Sequence, residues 1–285
     1  GPRRAGRSGV APSRRRSHGS PGPATTLQAV GMPAPASVLA SRLLAPRRVA
    51  PPAPAAGTGA FDHGRLERVV AAVTDGWRVD YRAVARSADL AAYRREIAAA
   101  DPDALAPGER LAFWINAYNA CVLALVAERM PVRSVLDIDG AFTRIRFRVG
   151  REELTADEIE HGKARRLGER LVHLGLNCAS VGCPPLRAYS GPAVLAELRD
   201  NGRRYLADEQ RGARLEGDRL LLSRIFQWFA GDFAPVGRMP STLGFILGVI
   251  RPRRVLPAAR PLLPPSLRDP RRVGFLPYDW SVNGG

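Results

Sequence analysis

Two cysteines lie five positions apart in the segment LNCASVGCPPLR, between an apolar run and a pair of prolines. A cysteine thiolate is a nucleophile and a metal ligand, and two nearby thiols can also close a disulfide. The pair Cys178 and Cys183 therefore allows three interpretations, which are a nucleophile, part of a metal site, or a structural corner held by a disulfide or by packing.

A nucleophilic cysteine needs a neighbouring base, and imidazole is a common one. Thr155 and Glu158 form a capping box that starts a helix at about residue 156 and places His161 on its second turn. An apolar strand is predicted at 170–177, so Cys178 stands at a strand end that could face this histidine. The substrate of such a pair would contain a carbonyl, as in an amide, ester or thioester. Candidates to orient the imidazole or to donate to an oxyanion are Asn119, Asn177 and Asp279.

A metal site would draw on both cysteines, His161 and His173. Zinc sites usually have two cysteines separated by two residues, whereas four residues separate Cys178 from Cys183 and no second pair follows. We therefore predict neither a metal nor a cofactor. The structural corner stays open beside the nucleophile, because isolated cysteines and histidines are mostly packing residues.

The segment ERLAFWINAYNACVLALVAERM at 109–130 is apolar around nearly its whole circumference and is followed by Pro131. This pattern predicts a helix buried in the middle of the domain. Asn116 and Asn119 lie three apart on one face of it, and a buried amide is costly unless it is hydrogen-bonded. The two amides form either a structural network or one polar wall of a site.

The other elements alternate between helix and strand, which predicts an α+β fold, a single domain with a buried central helix and a mixed or antiparallel sheet. An amphipathic helix starts near Phe61 with Asp62 as its cap. The remaining predictions are an extended piece at 79–84, helices at 88–100, at 192–206 and after Ser223, a strand at 142–150 turned by Gly150, a hairpin at 214–222 and a final strand at 273–283.

The formal charge of +16 is concentrated at the two ends of the chain. Residues 1–60 hold nine arginines and no acidic residue, while residues 61–250 carry a net charge of only +2. A nearly neutral domain with basic ends does not indicate a nucleic-acid binder. We therefore predict a disordered Arg/Pro/Ala-rich leader at 1–60 and one domain at 61–285, with a Pro/Arg-rich segment at 251–272.

The sequence has no run of about 18 consecutive apolar residues, so we expect a soluble protein without a membrane span. The N-terminal segment is a poor secretory signal, because Arg42 interrupts its longest apolar patch. Three cysteines are too few for a disulfide scaffold, and they do not decide the compartment. Localisation therefore stays unassigned.

Six motifs occur in one order: DYRAV, AFWINAYNACVLALV, LTADEIEHGKAR, LNCASVGCPPLR, LSRIFQWFAGDF and FLPYDWSVN. In these motifs, over roughly residues 78–283, the chain resembles the bacterial and plant family catalogued as domain of unknown function 547. The family has no established activity, so the resemblance implies membership of a family and does not imply a reaction. The matching positions are Trp114, Asn116, Tyr118, Asn119, Glu160, His161, Asn177, Cys178, Cys183, Pro184, Pro185, Tyr278, Asp279 and Trp280.

Two functions follow from these residues. The first is a thiol-dependent hydrolase or acyltransferase, in which Cys178, His161, Asn119 and Asn177 are catalytic. The second is a non-catalytic module with a structural Cys178 and Cys183 corner, which binds a small molecule or peptide in a pocket walled by Trp114, Tyr118, Trp228 and Trp280. In either case the predicted binding residues are Trp114, Asn116, Tyr118, Glu160, Cys183, Arg187, Tyr278, Asp279 and Trp280.

Overall fold

The structure is a computed structural model that describes residue 1, residues 57–234 and residues 250–284. The leader predicted at 1–60 lies almost wholly outside the described residues. Within them the α-helices are α1 (Gly64–Val73), α2 (Tyr81–Ala85), α3 (Ala88–Ala99), α4 (Pro107–Arg129), α5 (Val194–Leu206), α6 (Arg224–Trp228), α7 (Ala230–Phe233) and α8 (Leu256–Ala259).

The predicted central helix is confirmed as α4, and it is the element around which the others pack. Every residue from Arg110 to Val126 is buried, and α2, α3 and α5 all contact the helix. Its length and hydropathy would suffice to cross a membrane, but 89% of its most apolar window is buried inside the protein. A membrane span is therefore not supported.

The first helices show how single polar side chains start a helix. Asp62 accepts the N–H of Gly64 at 2.8 Å, but the N-cap of α1 is His63, so the cap predicted at Asp62 lies one residue too early. Asp80 accepts the N–H groups of Arg82 and Ala83, so α2 forms inside the segment 79–84. The prediction of an extended segment is therefore wrong beyond Asp80, because the Asp80 cap stabilises the start of a helix.

The strands of the described residues form two sheets, and the predicted α+β class is confirmed. In the first sheet, β1 (Arg146–Val149) pairs antiparallel with β2 (Glu152–Thr155). Its turn is Gly150 and Arg151, which both have positive φ, and glycine adopts this conformation without strain. The second sheet is mixed, since β3 (Ala213–Glu216) pairs antiparallel with β4 (Arg219–Leu222), and β4 pairs parallel with β5 (Arg272–Phe275).

The strand predicted at 170–177 is wrong. Arg170–Leu174 is a 3₁₀ helix, started by Glu169, whose carboxylate accepts the N–H of Leu171 at 2.9 Å. Residues 171–180 are all buried. A short apolar segment that is buried on all sides has the same composition as a strand or a helix, so its hydrophobic pattern does not separate the two.

The helix predicted from residue 156 exists in an unusual form. Glu158–Lys163 is a π-helix, and Ala164–Leu167 continues it as a 3₁₀ helix. The capping box is present, because Thr155 and Glu158 exchange hydrogen bonds between side chain and backbone N–H. A π-helical turn is rare and occurs frequently at functional sites.

The end of the chain returns to the middle of the fold. Ser223 caps α6 as predicted, through a hydrogen bond from the Ile225 N–H at 3.2 Å. The final strand is shorter than predicted, since β5 ends at Phe275. Beyond it the chain makes only isolated bridges, including Ser281 with Ser134 and Val282 with Ser180. These bridges bring the motif FLPYDWSVN against the cysteine segment.

Candidate functional site

Cys178, Ser180, Cys183 and Tyr278 form a buried group of two thiols and two hydroxyls, which we call the thiol cluster. No disulfide joins the two cysteines, and their Sγ atoms are 3.0 Å apart. The Ser180 Oγ lies 3.2 Å from the Sγ of Cys178 and 3.3 Å from that of Cys183. The Tyr278 hydroxyl lies 3.6 and 3.3 Å from the same two atoms, and 2.9 Å from the Ser180 Oγ. Each sulfur therefore has two hydroxyls and a second sulfur around it.

Backbone hydrogen bonds from the chain end hold the loop between the two cysteines. The N–H groups of Val181 and Gly182 donate to the carbonyls of Ser281 and Asp279 at 2.8 and 2.9 Å. The Asn283 N–H donates to the Ala179 carbonyl at 2.9 Å. The Tyr278 hydroxyl lies near both sulfurs because the segment that carries Tyr278 runs beside this loop.

The residue after Cys178 adopts a strained conformation. Ala179 has φ +68°, in the left-handed region that side chains other than glycine seldom occupy. Its N–H donates to the Asn177 Oδ1 at 2.9 Å, which holds it there. Strain of this kind persists only where the surroundings enforce it, and such residues cluster at active sites and ligand clamps.

Burial keeps the protons on two members of the thiol cluster, Cys183 and Tyr278. Burial raises the pKa of Cys183 well above its usual value, and the nearby Cys178 sulfur raises it further. Burial also raises the pKa of Tyr278, with added effects from both cysteines. Cys183 and Tyr278 therefore keep their protons at neutral pH and can donate them to a thiolate on Cys178.

Asn119 and Asn177 position the segment that carries Cys178. The Asn119 side chain donates to the Gly175 carbonyl and accepts the Asn177 N–H, both at 2.9 Å. The Asn177 side chain donates to the Pro184 carbonyl at 2.8 Å. Both side-chain amide groups thus donate to backbone carbonyls. Their predicted catalytic function stays a prediction.

Asn116 makes the same kind of link further along the chain. Its side chain donates to the Tyr189 carbonyl at 2.7 Å and accepts the Tyr189 N–H at 3.0 Å. Arg187 belongs to this region, where its guanidinium pairs with Glu197 at 3.2 Å. It lines a cleft of about 380 Å³ that also includes His63 and Ser190. Asn116 and Arg187 thus bond to Tyr189 and Glu197 and not to the thiol cluster.

A second buried group contains Glu160, His161, Arg165, His173 and Asp232, and we call it the charge cluster. Arg165 holds both carboxylate oxygens of Asp232, one of them at 3.1 Å. The His173 Nε2 lies 2.8 Å from the Asp232 Oδ2. The Glu160 Oε1 lies 3.9 Å from the His173 Nδ1 and 4.0 Å from the His161 Nδ1. All five side chains are at most 8% exposed.

Opposing effects set the charges in this cluster. Burial alone would raise the pKa of Asp232, but hydrogen bonds and charges from His173 and Arg165 lower it well below the usual carboxyl range. Burial lowers the pKa of His173, although Asp232 acts in the opposite direction. We therefore describe Asp232 as a carboxylate paired with Arg165, with a neutral His173 donating its Nε2–H to it.

Two consecutive aromatic residues contact both clusters. The Phe229 ring stacks on His173 at 3.6 Å, and its centroid is 6.2 Å from that of His161. The Trp228 ring packs against Tyr278 at 4.8 Å and Trp280 at 5.5 Å. Phe229 thus contacts the charge cluster, and its neighbour Trp228 contacts the thiol cluster.

The remaining predicted residues are Trp114, Tyr118 and Trp280, which are buried, and Asp279, which is half-buried. Trp114 packs on Phe113, with the Lys163 Nζ 5.3 Å from its ring centroid. Tyr118 is buried in α4. The Asp279 Oδ1 accepts the Ser281 N–H at 2.8 Å, and this bond turns the chain beside the cysteine segment. Trp228, Tyr278 and Trp280 form one aromatic group, in which Tyr278 and Trp280 are 4.7 Å apart.

Sequence reasoning missed Ser180, Arg165 and Asp232, and it described His173 as a strand residue. Asp232 lies 67 and 59 positions from its partners Arg165 and His173, so no local pattern connects them. Asp232 could have been identified from its position in the apolar motif LSRIFQWFAGDF. A carboxylate that is buried there requires a hydrogen-bonding or charged partner. In the part of the chain that the structure describes, no three histidine, cysteine or acidic side chains are arranged to hold a metal ion.

Comparisons with known proteins give one match, to a family model over part of the chain. No curated protein matches the chain. No solved structure matches it either. The central helix, the helix that carries His161 and the cysteine segment all fall within the part of the chain that matches a known family. Residues 102–206 match the model of the family described as "Protein of unknown function, DUF547", which confirms the family resemblance over those residues.

Proposed function

We propose that the chain is a thiol-dependent hydrolase or acyltransferase that acts on an amide, ester or thioester, with Cys178 as nucleophile. The observation that carries the proposal is the Cys178 Sγ itself. It lies within 3.6 Å of the Ser180 hydroxyl, the Cys183 thiol and the Tyr278 hydroxyl. Hydrogen bonds to the charged form of a group favour that form, so this arrangement stabilises a thiolate.

His161 is the proposed general base. The Glu160 carboxylate faces the His161 Nδ1 at 4.0 Å, so we assign proton transfer to Nε2. The His173 and Asp232 pair borders this carboxylate, since the His173 Nδ1 lies 3.9 Å from the Glu160 Oε1. Support for bringing His161 and Cys178 together comes from the aromatic pair Trp228 and Phe229, which contacts both clusters.

The reaction would proceed through an acyl-enzyme. The Cys178 thiolate attacks the carbonyl carbon, and the leaving group departs with the proton that His161 took from the thiol. Water or an acceptor nucleophile then attacks the thioester, and His161 accepts its proton. Asn119 and Asn177 contribute by fixing the Cys178 segment rather than by donating to the oxyanion, because their amide groups donate to backbone carbonyls.

Iodoacetamide labelling near pH 6.5 tests the thiolate directly. An ordinary thiol with a pKa of about 8.5 is about 1% ionised at that pH. We expect Cys178 to react more than about tenfold faster than Cys121, whose pKa burial raises to about 12. His161→Gln should slow the labelling of Cys178. His63→Gln is the matched control, because His63 is a buried histidine bonded to Tyr93.

A panel of esters, thioesters and anilides then tests turnover. Cys178→Ser should abolish any turnover found, and Cys121→Ser should leave it unchanged. Equal labelling rates for Cys178 and Cys121 would contradict the proposal.

The alternative function is a ligand- or peptide-binding module, in which the aromatic group of Trp228, Tyr278 and Trp280 would form a wall of the binding pocket. A binding module would retain its affinity in the Cys178→Ser variant, which separates it from a thiol enzyme.

A further inference from the structure

The two sulfurs of the thiol cluster are placed to react with each other as well as with a substrate. A disulfide bond is about 2.05 Å long, so the Sγ atoms need to approach by only about 1 Å from their separation of 3.0 Å. The loop that joins them is clamped to the chain end on both sides of Ser180. The pair is thus held together in the reduced protein.

We propose that Cys178 and Cys183 are a reversible peroxide-sensitive pair, in which disulfide formation removes the nucleophile. The regulatory part of this inference rests on the proposed function of Cys178, whereas the disulfide itself does not. Cys183 is the resolving thiol, because its sulfur already accepts the Cys178 N–H at 3.0 Å and faces the Cys178 Sγ.

The chemistry proceeds in two steps and balances. The Cys178 thiolate attacks one oxygen of hydrogen peroxide, the O–O bond breaks, and a sulfenic acid forms while hydroxide leaves and is protonated to water. The Cys183 sulfur then attacks the Cys178 sulfur and the S–S bond forms. The hydroxyl of the sulfenic acid leaves with the Cys183 proton as a second water. Two thiols are oxidised by two electrons, and one peroxide is reduced.

The surroundings favour a small oxidant. Cys178 is 5% exposed and Cys183 is 4% exposed, so a peroxide of nearly the size of water has easier access than a bulky disulfide reagent. Ser180 and Tyr278 lie beside both sulfurs and can donate to the thiolate and to the leaving hydroxide. Cys121 is an internal control, because it is buried in α4 and burial keeps it protonated.

The test treats the reduced full-length chain with hydrogen peroxide, blocks the remaining thiols and maps the products by mass spectrometry. We expect one intrachain disulfide between Cys178 and Cys183, with Cys121 recovered as a free thiol. Dithiothreitol should restore both thiols. Iodoacetamide labelling of Cys178 should fall by about tenfold or more on oxidation and return after reduction.

Variants make the inference decisive. In Cys183→Ala the sulfenic acid on Cys178 should accumulate, be trapped by dimedone and then oxidise further to a product that dithiothreitol does not reverse. Cys121→Ser should behave as the wild type. Dimedone adducts on wild-type Cys178 with Cys183 still reduced, or a Cys178 that resists peroxide, would overturn the inference. Either result can occur beside fast iodoacetamide labelling, so the proposed thiol function can survive the loss of this one.

Discussion

Asp232→Asn should lower the free energy of unfolding by about 3 to 5 kcal/mol, because it removes the negative charge from the carboxylate that bonds the buried Arg165 guanidinium through both of its oxygens. The Arg165 side chain is 8% exposed and the Asp232 side chain 7%. An asparagine at position 232 keeps the side-chain volume and one hydrogen-bond acceptor. The loss of stability therefore measures the effect of the charge rather than that of packing. Urea denaturation at neutral pH measures it, as a change in midpoint at constant slope.

The matched control is Asp218→Asn, which removes the carboxylate from an exposed pair with Arg272. Water screens that pair, so its loss should change stability little. A loss for Asp232→Asn no larger than the loss for Asp218→Asn would contradict the description of the charge cluster as a buried ion pair.

The same pair predicts a pH dependence. Since the pKa of Asp232 is lower in the folded chain than in the unfolded one, its contribution is present at neutral pH and is lost as the pH falls through the acid range. The wild type should therefore lose stability on acidification from about pH 5 to pH 2, and the difference between wild type and Asp232→Asn should narrow over that range.

Several elements with a clear local pattern were predicted from the sequence. The helix α4 followed from an apolar circumference and a closing proline, and the hairpin of β3 and β4 followed from Gly217 and Asp218 at its turn. The segment 170–177 was misassigned because burial on all sides removes the periodicity that distinguishes strand from helix.

The candidate site divides in the same way. Cys178, Cys183 and Tyr278 were named from their motifs, and the structure brings them into contact. Asp232 was not predicted as a site residue, because its partners Arg165 and His173 are remote in sequence. A buried charge is identified by what surrounds it in three dimensions, and a sequence gives only its neighbours along the chain.

Asn119→Ala should both destabilise the chain and slow the labelling of Cys178. The substitution leaves the Gly175 carbonyl and the Asn177 N–H unpaired inside the protein. Each buried backbone group without a partner costs about 1 to 3 kcal/mol, so the expected loss from two such groups is about 2 to 6 kcal/mol. Asn177 directly precedes Cys178, so its release should also disturb the thiol cluster and slow iodoacetamide labelling by about tenfold.

Asn116→Ala separates the two effects. This substitution also removes two buried hydrogen bonds between a side chain of α4 and the backbone. Both of them go to the backbone of Tyr189, which follows the cysteine segment. We expect a similar loss of stability and a labelling rate for Cys178 within about twofold of the wild type. Equal slowing in both variants would mean that Asn119 supports the fold in general. Slowing confined to Asn119→Ala would mean that this amide positions the nucleophile, because the loss of stability would then be common to both variants and the loss of reactivity would not.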